Sequence, residues 1–280
     1  MEKQKRFLFR EQGLVCGKDL DRAWAHALPA YRMAPHAWNV GGQDDVSVYL
    51  IDTGAGLILI DTGYEKTLCL VIDRIWRLGF DPKDIKKILL THYHFDHTQG
   101  ARMLSELSGA EIWLSPEDER KHLESEEVPF LMPVAPYRVT NFYDDETPIE
   151  LGRVSIRTER TPGHTLGATS FFFEDVDEET GERFYCATHG GLGTGPMVPG
   201  SDWMRHEEVT PEIALRFADD CERLAALPVD INMASHLNQA SIAENLPADL
   251  NNYRWFVNDY SWHDMLVSRA EEVRAMYRRQ

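Results

Sequence analysis

Positive charge and cysteine are both scarce in this chain. Its 29 lysines and arginines face 46 acidic residues, giving a formal net charge of −17 at pH 7 and a pI near 5.0. Such a surface repels phosphate backbones and anionic lipid, so neither nucleic acid nor a membrane surface is an expected partner. Simple solubility is the plainer cause of the acidity. The four cysteines, Cys16, Cys69, Cys186 and Cys221, are scattered without CxxC spacing and fit a reduced interior better than a disulfide framework. No apolar run is long enough to span a bilayer. Charges punctuate Met1 to Glu11, where a signal peptide needs an unbroken apolar stretch. A cytoplasmic location is the expectation. Internal repeats and long low-complexity stretches are also lacking. The most loop-like region, Gly190 to Gly200, sits inside the chain and is not read as a linker.

What is present is a core and a cluster. The 280 residues are 43% hydrophobic, with seven Trp and twelve Phe, enough for one sizeable packed domain. Directly after the apolar Ile88-Leu89-Leu90 stands Thr91-His92-Tyr93-His94-Phe95-Asp96-His97. Side-chain direction in extended backbone repeats every second residue, so His92 and His94 point the same way. Asp96 and His97 follow one turn later, where Thr98 to Leu107 reads as a helix. One side of this cluster can hold one cation and the other side a second. The alternative is four unrelated polar residues at a strand end.

The His-x-His-x-Asp-His pattern from His92 to His97 resembles the signature of the metallo-β-lactamase superfamily. Further segments resemble the same family in the same order. They are the hairpin Tyr49 to Asp52 and Leu57 to Gly63, the loop Thr161-Pro162-Gly163-His164-Thr165, and Ser235-His236 after the apolar run Val229 to Ala234. Together they cover roughly residues 38 to 240. Trp38 to Gly41 and Asp61-Thr62-Gly63 look closest to the third (B3-like) zinc β-lactamase subclass. The resemblance implies an α/β (α+β) chain folded as a four-layer αββα sandwich. A single domain over 1–280 is expected, with 1–37 as an N-terminal extension and 245–280 as a helical tail packed on it.

The resemblance also implies a site. His92, His94 and His164 would hold a first Zn2+ with an open fourth position, and Asp96, His97 and His236 a second. Asp96 could instead cap the following helix, and His164 alone could be an ordinary loop histidine. Asp61 is expected behind the ligands, holding a strand-end loop or a ligand ring rather than a metal. Trp38 and Gln43 are placed at the rim. The chain departs from the family at Ala187-Thr188-His189, where many hydrolytic relatives carry an Asp that bridges both metals. His189 is read as an extra ligand of the second metal, as a catalytic acid/base, or as a histidine bonded into the Gly-rich loop. Cys186 and Cys221 are expected to be structural.

The implied activity is hydrolysis of an amide, lactam, ester or lactone bond in a small molecule by zinc-bound hydroxide, with Asp96 orienting it. True β-lactamase activity and a metal-dependent oxidoreductase are the alternatives. A homo-oligomer is left open. Periodicity predicts strands at 45–52, 56–62, 87–90, 111–114, 149–159, 169–173, 183–187 and 229–234. Helices are expected at 67–78, at 98–107, from Pro116 with Ser115 as its cap, at 211–226 and along the tail from Asp249.

Overall fold

The computed structural model describes residues 17, 19–124, 128, 131–257 and 260–278. Cys16, the segment Met1 to Glu11 and the end of the tail at Arg279 lie outside the described residues. Among the described residues the first sheet has seven strands in sequential order. They are β1 (Tyr31–Ala34), β2 (Ala37–Asn39), β3 (Tyr49–Asp52), β4 (Leu57–Ile60), β5 (Ile85–Leu89), β6 (Glu111–Leu114) and β7 (Asn141–Phe142). β1 to β4 are antiparallel neighbours, and β4 to β7 are parallel. The second sheet runs β12-β11-β10-β9-β8. Its strands are β8 (Ile149–Leu151), β9 (Val154–Arg160), β10 (Thr169–Val176), β11 (Arg183–Thr188) and β12 (Ile231–Asn232).

β4 shows how the layers form. All four residues are buried, as in a strand covered on both faces. Ile58 and Ile60 join the core shared with Phe171, Phe173 and Cys186 of the second sheet. Leu57 and Leu59 face the other way, toward Leu68, Val71 and Ile75 of α1 (Leu68–Arg77) and Leu104 of α3 (Ala101–Ser108). On the far face of the second sheet lie α6 (Pro211–Ala225) and α7 (Tyr260–Arg278). Phe172 meets Trp262 there edge-on, with 6.0 Å between ring centroids. The indole Nε1 of Trp262 donates to Leu224 O of α6 at 2.8 Å. The order is helices, sheet, sheet, helices: the expected αββα sandwich. Removing a fully buried Trp such as Trp262 costs about 3–5 kcal/mol.

Several boundaries differ from the sequence reading. Residues 45–48 make only an isolated bridge, Val46 to His236, ahead of β3. The stretch assigned to an N-terminal extension contributes β1 and the start of β2, so from Tyr31 onward it is part of the first sheet. The expected strand 149–159 is a hairpin folded at Gly152, whose φ of 53° suits glycine. Val229 to Ala234 pairs over only two residues. Three further α-helices lie among the described residues: α2 (Phe95–Thr98), α4 (Pro116–Glu124) and α5 (Asp202–His206). Ser115 does cap α4, its Oγ accepting from Asp118 N at 3.2 Å. No helix among the described residues is long and apolar enough to cross a membrane.

Candidate metal centre

β4 and β5 end side by side, and the loops that follow carry the cluster. Asp61, just past β4, has a left-handed φ of 57°, a conformation that costs a non-glycine residue about 1 kcal/mol or more. The turn lets its carboxylate accept from Thr91 N at 2.8 Å and from His97 Nδ1 at 2.7 Å. Asp118 of α4 pins the next stretch, accepting from Tyr93 N at 3.0 Å. It also accepts from Thr165 Oγ1 and Gly167 N at 2.8 Å each. One buried carboxylate thereby ties the His92–His94 loop to the His164 loop. Burial, with Glu207 nearby, pushes it up to about 7 against the pull of its donors.

Each imidazole of the cluster uses one ring nitrogen outward. His94 Nε2 faces Glu207 Oε1 at 3.0 Å, and His164 Nδ1 faces Gly193 O at 2.8 Å. His97 Nδ1 faces Asp61, and His236 Nδ1 faces Asp45 Oδ1 at 3.1 Å. Carboxylates and carbonyls only accept, so in a neutral ring the outer nitrogen carries the proton. His92 Nδ1 lies 3.0 Å from Thr91 Oγ1, whose own proton is directed at Asp61. The hydroxyl therefore accepts from His92.

The consequence is that five inner nitrogens face one another, each neutral ring presenting a lone pair. His94 Nδ1 and His164 Nε2 are 3.0 Å apart, and His97 Nε2 and His236 Nε2 are 3.2 Å apart. His92 Nε2 is buried with no hydrogen-bond partner. Asp96 Oδ2 lies 3.4 Å from His97 Nε2 and 3.5 Å from His236 Nε2. Facing lone pairs repel unless a cation or proton sits between them. Ligands held ~2.0–2.1 Å from one tetrahedral zinc are about 3.3 Å from each other, which matches these separations. Two His-rich metal sites result. His92, His94 and His164 form one compact group, and His92, Asp96 and His97 form another, each with ligand atoms within 4.8 Å. His236 joins the second through its contacts with His97 and Asp96.

The electrostatics agree. Burial, reinforced by the neighbouring rings, holds His92 and His164 well below the usual histidine range, so both stay neutral. Burial alone would lower His97 too, but Asp96 and Asp61 outweigh it and raise the ring to about 10. A cation entering the second site must therefore displace a proton from His97. Asp96 is disfavoured as a carboxylate by burial, yet His97 and His236 hold it below the ordinary range.

The structure does not bring His189 into the centre. β11 ends at Thr188, and the alternation of the strand turns His189 toward the outer helices. Its ring packs against Phe217 at 5.9 Å and Trp262 at 6.5 Å, and its Nδ1 accepts from Gly191 N at 3.2 Å. Burial lowers it to about 3. The reading of His189 as ligand or acid/base is thus corrected to a neutral core histidine bonded into the Gly-rich loop. That loop instead clamps His164. A Cβ on Gly191 or Gly193 would come within 2.7 Å of the imidazole, so only glycine lets the backbone flank the ring. Trp38 and Gln43 are not at the rim either: Trp38 stacks edge-on with Phe80 at 5.4 Å on the outer side of the first sheet, and Gln43 does not border the cavity over the metal groups. Cys186 and Cys221 are buried, with thiols pushed up chiefly by burial, as structural residues.

A cavity of about 340 Å³ opens over the inner nitrogens. Trp203 of α5 walls it beside His94 and His164, at 6.0 and 6.2 Å between ring centroids. Asn238, Gln239 and Arg269 line another part. Asp45, Glu207 and Asp118 were missed by the sequence reading, as were Trp203 and Arg269.

A sequence profile of the metallo-β-lactamase superfamily matches residues 41–177. A probable metallo-hydrolase of Methanocaldococcus jannaschii is 30% identical over 158 residues, covering 54% of this chain and 73% of that protein. The chain belongs to the metallo-β-lactamase superfamily. Within it the chain is a metallo-hydrolase with a His-rich metal site. It spans about half the length of several other curated relatives that it matches. Among solved structures, a subclass B3 metallo-β-lactamase of Bradyrhizobium japonicum superposes with a TM-score of 0.76. The two are 22% identical, with 93% of this chain and 96% of that chain covered. A class B3 di-zinc metallo-β-lactamase from an Alaskan soil metagenome gives 0.78 at 24% identity, with 91% and 96% covered. These likenesses establish the shared fold.

Proposed function

We propose that the protein is a dinuclear zinc hydrolase that cleaves an amide, lactam, ester or lactone bond of a small molecule. The observation that carries this reading is the set of five inward-facing ring nitrogens plus Asp96, all of whose residues but His97 line one cavity. Nitrogen-rich donors of this kind suit zinc better than the oxygen-rich sets preferred by harder ions. His92 Nε2, His94 Nδ1 and His164 Nε2 would hold one zinc, and Asp96, His97 Nε2 and His236 Nε2 the other. Bound zinc supplies Lewis acidity, polarising a carbonyl and making water acidic near neutral pH.

The chain's own residues do the rest. Glu207, Gly193, Asp61 and Asp45 fix the rings so that little reorganisation is needed when substrate arrives. Asp96 Oδ2, beside His97 and His236, is placed to accept a proton from water. Trp203 gives an apolar wall, and the 340 Å³ volume admits a small molecule. Neither Cys186 nor Cys221 faces the cavity, so no thiol nucleophile is involved.

Likeness to B3 enzymes supports a second reading, a true β-lactamase. The deciding experiment measures metal content on protein made without added metal, then screens β-lactams, lactones, thioesters and amides. Two zinc ions with turnover of one class supports the proposal. Iron with no hydrolysis of any class refutes it in favour of an oxidoreductase.

A further inference from the structure

The loop that clamps His164 has little of its own to hold it in place. Four of the six residues from Gly190 to Gly195 are glycine, which leaves the backbone unusually free. Yet this loop keeps Gly193 O 2.8 Å from His164 Nδ1. Two anchors reach it from α7, far along the chain. Thr194 Oγ1 donates to Glu272 Oε1 at 2.6 Å, and the Tyr277 hydroxyl donates to Met197 O at 2.9 Å. Glu272 is itself held, because its other oxygen pairs with Arg269. The helix that carries these groups is firmly seated, with Trp262, Met265, Leu266, Ala270 and Val273 fully buried.

The anchor at Thr194 bears directly on the ring. Gly193 O and Thr194 N belong to one peptide unit, which is planar and rigid. Only the φ and χ1 torsions of Thr194 separate that plane from the hydroxyl bound by Glu272, and χ1 of a β-branched residue is stiff. Fixing the hydroxyl therefore aims the Gly193 carbonyl. A carbonyl at Nδ1 keeps the ring proton there and leaves the lone pair on Nε2, the nitrogen that faces His94.

Building on the metal-centre reading, we infer that Glu272 and Thr194 are positioning residues for the first metal site: the tail helix sets the tautomer and aim of His164 through the Gly193 carbonyl. The rings of His97 and His236 take their outer bonds from Asp61 and Asp45, so the influence of α7 falls on the first site and spares the second.

The test compares the full chain with its Thr194→Val, Thr194→Ser and Glu272→Gln variants. In metal-free protein, heteronuclear NMR of the imidazole nitrogens reads each ring's tautomer, with His164→Gln assigning the resonance. The parent should hold His164 as the Nδ1–H tautomer, and Thr194→Val should leave a mixture of both. Chelator competition should then show the first zinc bound about tenfold more weakly in Thr194→Val and the second within about twofold, the lower end of what losing a ligand's outer support costs. Glu272→Gln, whose amide oxygen can still accept, should weaken the first zinc about threefold. Thr194→Ser restores the hydroxyl and should match the parent in both readouts. A general loss of stability moves neither the tautomer nor the ratio of the two affinities. If Thr194→Val does not fold, Glu272→Gln carries the same two measurements. An unchanged His164 tautomer, or a first-site affinity that stays level or falls no further than the second, overturns the inference. A parent that takes up no zinc sinks the metal reading, and the tautomer comparison then decides the role of Glu272 and Thr194 by itself.

Discussion

The two halves of the centre are built from similar rings and held in different ways. Around His92, His94 and His164 the outer partners are a threonine hydroxyl, a carboxylate and a backbone carbonyl. Around His97 and His236 both outer partners are carboxylates, Asp61 and Asp45, and Asp96 adds a third inside. The first half carries a single carboxylate, Glu207, and is fixed by two side chains and one backbone carbonyl. The second is anionic and is fixed by side chains. Asp61 and Asp45 place negative charge behind the rings of the second site.

The largest effect should come from removing the carboxylate inside the anionic half. Asp96→Ala should drop zinc content from two per chain to one and cut kcat/KM at least about a hundredfold, because it removes both a ligand and the proton acceptor. Metal analysis beside kinetics on the best substrate checks both parts. Two zinc ions retained would show that the halves are not divided as described.

Next come the outer carboxylates. Asp45→Asn and Asp61→Asn should each weaken the second zinc about 10- to 100-fold, leaving the first within a few-fold. Glu207→Gln should show the mirror image, a smaller loss confined to the first zinc, since the amide oxygen can still accept from His94. Competition with a chromophoric chelator resolves the two affinities. Equal losses at both sites in all three variants would erase the comparison.

Proton release sharpens it further. With His97 raised to about 10, filling the second site at pH 7 should release about one proton more than filling the first, where His92 and His164 are already neutral. Calorimetry in buffers of different ionisation enthalpy reads the difference. Equal release from both sites would contradict it.

The smallest effect on the metals should come from His189. His189→Ala should keep two zinc ions, with a stability loss and a changed acid limb. Burial depresses this ring to about 3, so the folded state keeps it neutral while the unfolded chain protonates near 6.5. The parent therefore loses stability as pH falls from about 6.5 toward 3, by at most about 1.4 kcal/mol per unit. The variant should lose less over that window. Urea unfolding at pH 7 and pH 5 measures this.

The part of the centre that could be read from the sequence was the part that is local in the chain. His92 to His97 span six residues, and their spacing alone sets ring directions. His164 and His236 were legible through the segments that resemble the family. Asp45, Asp118 and Glu207 were not, because one acid among 46 carries no mark until folding buries it. His189 misled for a related reason. It sits one residue past the strand end, and a single step of alternation decides whether a ring faces the metals or the helices. The sandwich followed from the resemblance, and helix signals such as Ser115 before α4 held. β1 and β12 were missed or overdrawn because short buried strands have no periodicity of their own; tertiary pairing sets their limits.

The most direct test is a crystal structure of the zinc-loaded protein with anomalous data at the zinc edge. Two peaks are predicted. One should lie ~2.0–2.1 Å from His92 Nε2, His94 Nδ1 and His164 Nε2, and the other at like distance from Asp96, His97 Nε2 and His236 Nε2. A single peak, or one coordinated by His189, would contradict the account.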